Sequence, residues 1–137
     1  MTTVFLIGRV LFGGFFIING LNHFMSRSMM AQFAAAKGVP MPDVAVIAAG
    51  VLILFGGVSI VLGWQPELGI GAIVLFLVGV SFPMHDFWTE SGSQRTVDFV
   101  NFTKNMALIG ATLMLTAVPR PWPISIDGQA SVRRVSA

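Results

Sequence analysis

VAVIAAGVLILFGGVSIVLGWQP, residues 44–66, runs for 23 residues without a charged side chain. A helix rises about 1.5 Å per residue, so roughly 20 apolar residues cross a bilayer core. Three other stretches have the same character: residues 4–25, 68–85 and 99–118. Residues 10–26 and 68–85 contain no Asp, Glu, Lys or Arg, and Lys104 interrupts the last stretch near its start. A soluble protein can bury one such helix. Four of them in 137 residues leave nothing to cover them.

Composition agrees. Hydrophobic residues make up 55% of the chain and charged residues 10%, with a mean hydropathy of +0.82. Soluble domains carry about 25% charged residues. Backbone groups in lipid must bond within their own segment, which selects helices. The absence of apolar–polar alternation argues against a β-barrel. The expected fold is therefore all-α: an integral membrane bundle of four transmembrane helices. It forms one domain over residues 1–118, followed by a polar, basic tail over 119–137. A cleaved signal peptide is not expected, because Ala34-Ala35-Ala36 lies far beyond the first apolar run and no Lys or Arg precedes Val4.

Connections follow from local chemistry. Residues 25–37 mix Met25, Met29, Met30 and Phe33 with Arg27, Gln32 and Lys37, as an amphipathic helix lying in the interface would. Gly38 with Pro40 and Pro42 ends it, and Asp43 is a candidate N-cap for the second span. Residues 64–67 form a tight turn, and residues 89–98 a polar loop. Pro119, Pro121 and Pro123 stop the fourth helix, and residues 124–137 are expected to be poorly ordered. Trp64, Trp88 and Trp122 fall at helix ends, where an aromatic ring anchors at the interface.

The polar residues carry the functional argument. Asn19, Asn22 and His23 are spaced i, i+3 and i+4 on the first span, and Asn101, Lys104 and Asn105 repeat that spacing on the fourth. His85, Asp86 and Trp88 end the third. If the helices cross in turn, all nine reach one membrane face, where they are candidates for binding a ligand. Asn residues can equally bond helices together, and Lys104 can extend its ammonium to the interface. Arg9 and Glu67 lie at the opposite face as structural charges, where they can pair with each other or Arg9 can equally meet a lipid phosphate. His23 and His85 could in principle ligate a haem, and a zinc ion would find only Asp86 and Glu90 nearby. Neither cofactor is expected. With no Cys, thiolate catalysis is excluded. Nucleic acid is not an expected partner, because the net charge is only +2 and the basic residues are scattered. Four basic residues on each side leave orientation undecided by charge.

Several stretches resemble the DoxX family. They are GRVLFGGFFIING (8–20), KGVPMP (37–42), Leu62-Gly63, HDFW (85–88) and NFTKNMALIGA (101–111). Two features depart from it. AAGVLILFGG (48–57) lacks the Glu often found there, and Asn22-His23 stands where Lys is common. The resemblance implies a multi-pass protein of the bacterial inner membrane, with both termini expected in the cytoplasm. It also implies a membrane subunit or partner of a quinone-linked redox system. Quinone is then the candidate ligand and a redox protein the expected partner. Any catalysis would be that of an oxidoreductase subunit, with catalytic residues unknown, since the chain has no evident electron carrier. The alternative is a non-catalytic assembly factor or scaffold. A transporter ranks third, because the central sections carry no charge. Self-association is compatible with so narrow a bundle.

Overall fold

The computed structural model describes residues 1–135, with side chains as far as Val132. Six α-helices follow in order: α1 (Thr2–Met25), α2 (Arg27–Ala36), α3 (Pro42–Leu62), α4 (Pro66–Met84), α5 (Gly92–Met114) and α6 (Ile126–Val135). A 3-10 turn, Leu115–Ala117, extends α5. No strand occurs among the described residues. Of the four expected spans, α1, α3 and α4 are long and apolar enough to cross a membrane. By the same measure α5 is not; Arg95 and Asp98 lie in its first half and Lys104 near its middle.

Sequence order sets the main packing: α1 lies on α3, α3 on α4 and α4 on α5. The shared core is Phe16, Ile53, Ile60, Ile70, Ile73 and Leu77, joined by Trp122 from the tail. Side chains on the outer faces of the spans, such as Leu11, Ile18 and Leu75, are exposed and apolar. A water-facing surface would not be built this way, whereas lipid is a suitable solvent for it. The closest approach of α1 to α3 uses facing glycines. A Cβ on Gly13 would lie 2.6 Å from the Gly57 carbonyl oxygen, and one on Gly57 would lie 2.6 Å from that of Gly13. Small residues let membrane helices approach backbone to backbone.

The amphipathic segment is the short helix α2, which packs on α3. Asp43 lies in the first turn of α3 rather than at its cap. It pairs with Arg27 at the start of α2, 2.9 Å away.

The tail differs from expectation. Trp122 and Ser125 are buried, and α6 follows them. Trp122 meets Phe5 edge to face, and the Arg9 and Arg120 guanidinium groups lie over its ring. It is thus a core residue, not an interface anchor. Gly63 makes the docking possible: its φ of 61° closes α3, and a Cβ there would stand 2.5 Å from the Ser125 Cβ. The Arg133 and Arg134 side chains and residues 136–137 lie outside the described residues.

Candidate functional site

A cavity of about 700 Å³ lies between the last turns of α1, the inner face of α2, the first half of α3 and the second half of α4. Small side chains make the space: Ala45, Ala48 and Ala49 on α3 face Gly79 on α4. Met30 and Phe33 of α2 cover it, and Phe76 and Met84 close the α4 side. Long thioether chains can adjust to what lies against them. His23 is the one polar side chain in the lining. Its Nδ1 is 2.8 Å from the Asn19 backbone oxygen, and its ring meets Phe76 edge to face at 5.8 Å. Gly50 gives it room, since a Cβ there would be 2.9 Å from the His23 Cβ.

Beside the cavity sits an ion cluster. Lys37, just past the end of α2, places its Nζ 2.6 Å from Asp86 Oδ1, 2.7 Å from Glu90 Oε1 and 3.4 Å from Asp98 Oδ2. Asp98 also accepts from Gln94 Nε2 at 3.1 Å and lies 3.3 Å from His85 Nδ1. Thr89 donates to Asp86 Oδ2 at 2.6 Å. Hydrogen bonds to Asp86 and Glu90 hold the Lys37 ammonium above its usual range. Donation by Lys37, then by Thr89, keeps Asp86 below the usual carboxylate range. Burial pushes Asp98 up, but Gln94, His85 and Lys37 outweigh it and leave it low. Asp86, Glu90 and Asp98 bring carboxylate oxygens within 4.8 Å of one another, a grouping able to hold a cation. The Lys37 ammonium is the cation they share.

The nine candidate ligand-binding residues separate. His23 enters the cavity. Asn19 donates back to the Phe15 carbonyl, and Asn22 is exposed and accepts from Ser26. His85 and Asp86 belong to the ion cluster. Trp88 is 53% exposed and joins an aromatic group with Phe82, Phe87 and Phe102. Lys104 is exposed and donates to Asn101 one turn away, while Asn101 donates to the Val97 carbonyl. Asn105 is buried in the α4–α5 seam, where it donates to Ser81 Oγ at 3.1 Å. The two histidines therefore take separate partners.

The Arg9–Glu67 pair does not form. Arg9 is 2% exposed and donates to four carbonyls: Ile60, Val61, Pro123 and Ile124. Carbonyls at the end of α3 lack a full set of helical donors, and a guanidinium fork can bond them. Glu67 lies at the exposed start of α4 and pairs with Arg120. Lys37, Glu90 and Asp98 were not among the candidate site residues, although Glu90 stood out beside Asp86 as a nearby acid. The available signal was a Lys ending an amphipathic helix on the same side as a loop holding two acids.

Residues 4–86 match the DoxX family, a region running from the start of α1 to the head of the α4–α5 loop. The chain is 32% identical over 122 residues to the inner membrane protein YphA of Escherichia coli (strain K12). That alignment covers 89% of this chain and 86% of the relative. No solved structure gives a significant match. The chain belongs to the DoxX family.

Proposed function

We propose that this DoxX-family protein is a multi-pass inner-membrane protein that binds a small apolar ligand in the cavity under α2, as the membrane subunit or partner of a quinone-linked redox system. One observation carries the reading. An apolar cavity of about 700 Å³, with a single polar side chain, lies at one end of the spans beneath a short amphipathic helix. Ligand sites are commonly of that size and character, about 300–1,000 Å³ and largely apolar with few polar groups. The inner-membrane placement draws on the relative and on three apolar helices. In this reading α5 is the fourth span, with the ion cluster outside the hydrocarbon. Both termini then share a face, which fits the contact of Arg9 with the tail. The site is narrower than the nine candidate residues: His23 is the ligand-facing one, and Lys104 is not part of it.

The test is binding of a short-chain quinone and its quinol to protein in lipid nanodiscs. Ala49→Phe, which fills the cavity, should abolish binding, and Lys104→Ala should leave it intact. Unchanged binding in Ala49→Phe would remove the cavity as the site.

The alternative, a scaffold for another protein, draws on Met25 and Met29, which are 85% and 67% exposed around the start of α2. A stoichiometric partner lost in Met25→Glu/Met29→Glu, with ligand binding unchanged, would favour it.

A further inference from the structure

His23, the polar side chain in the cavity lining, has a defined ring orientation. Its Nδ1 faces the Asn19 backbone oxygen at 2.8 Å. A carbonyl oxygen can only accept, so Nδ1 carries the hydrogen. On a neutral imidazole the other nitrogen, Nε2, is then a bare acceptor. It has no hydrogen-bond partner among the described residues. Phe76 packs edge to face against the ring, and the missing side chain of Gly50 leaves room for the His23 Cβ. A ring so fixed cannot exchange its two nitrogens without giving up the bond to Asn19. The cavity therefore offers an apolar molecule one fixed polar contact, and that contact accepts.

Resting on the cavity as the binding site, we propose that it selects apolar molecules whose head donates a hydrogen bond, with His23 Nε2 accepting from a hydroxyl. Carbonyl- or ether-headed molecules of the same shape leave that nitrogen unpaired in an apolar wall. Of a quinone and its quinol, the site prefers the quinol. His23 here is a specificity-determining residue, and no group transfer is assigned to it.

Three probes separate the possibilities: 4-nonylphenol, its methyl ether 4-nonylanisole, and 1-nonanol. Each is titrated into protein-loaded nanodiscs against empty ones. The phenol should bind about five- to tenfold more tightly than the ether, the worth of one net hydrogen bond. His23→Phe should bring that ratio to about one, with both probes still bound. In wild-type protein, the ¹⁵N resonance of His23 Nε2 should shift with phenol and not with ether, a readout that needs no variant. Tight binding of 1-nonanol extends the recognition to any hydroxyl, whereas binding of the phenol alone restricts it to an aromatic one. Equal binding of phenol and ether, with both blocked by Ala49→Phe, overturns the hydroxyl selection while leaving the cavity as a site. Binding of every probe unaffected by Ala49→Phe overturns both.

Discussion

Replacing Lys37 with Met should destabilise the protein most near neutral pH, and acid should narrow the deficit. The side chain of Lys37 is 13% exposed and shared by three carboxylates with exposures of 25%, 31% and 2%. Removing one partner of a buried ion pair costs about 3–5 kcal/mol. Asp86 and Glu90 retain some water, and Asp98 keeps Gln94 and His85, so about 2–4 kcal/mol is the expected loss. The pH dependence differs between the two proteins. The raised Lys37 contributes stability that is complete below its unfolded value of about 10.4 and lost as pH rises through the folded one. The lowered Asp86 and Asp98 contribute stability present above about 3.9 and lost as pH falls through their folded values. Wild type is therefore flat between roughly pH 5 and 9 on account of this cluster. In Lys37→Met three like charges crowd together, which raises at least one acid. Protonating it as pH falls relieves the repulsion. Thermal unfolding of nanodisc-embedded protein from pH 7 to pH 5 is the assay. A variant as stable as wild type at pH 7, or one whose deficit grows toward pH 5, would refute the reasoning.

Other sites test the remaining structure. Gly13→Ala puts a methyl 2.6 Å from the Gly57 carbonyl oxygen and should cost about 1–3 kcal/mol in denaturant unfolding. Arg9→Lys keeps the charge but loses the fork that reaches α3 and the tail together. Limited proteolysis should then cleave near Trp122 while the spans stay intact. Asn105→Ala and Ser81→Ala, combined in a double-mutant cycle, should show coupling of about 0.6 kcal/mol and no more than about 1.7.

Three of the four expected spans, α1, α3 and α4, were legible because crossing a bilayer needs only length and apolarity, and both are properties of composition. How each helix is rotated about its axis was not legible. Residues advance about 100° each around a helix, so an i, i+3, i+4 group covers a wide arc. On α5 that arc divides, with Asn105 facing inward to Ser81 and Lys104 turning outward to Asn101. On α1 it divides again, between His23 in the cavity and exposed Asn22. Spacing along a helix groups such residues but does not say which way each one faces. Arg9 illustrates a second limit. Its partners are backbone carbonyls, which no residue pattern marks, and two of them belong to a tail more than a hundred positions away.

The cavity and the ion cluster form one arrangement, because α2 is poorly anchored by its own packing. Only Ala31 and Ala34 of that helix are buried, and alanine methyls contribute little apolar area. One ion pair holds its first end and the ion cluster around Lys37 its last. Arg27 and Asp43 are 50% and 59% exposed, and pairs of that kind contribute about 0–1 kcal/mol. The cluster around Lys37 is far better shielded, so it fixes the far end of the helix that covers the cavity. Polar residues here thus fall into two groups: His23 lines the cavity, while Lys37, Asp86, Glu90 and Asp98 hold its cover in position. A search for one convergent polar pocket would merge these groups, and the geometry separates them because only one of the five side chains lines the cavity.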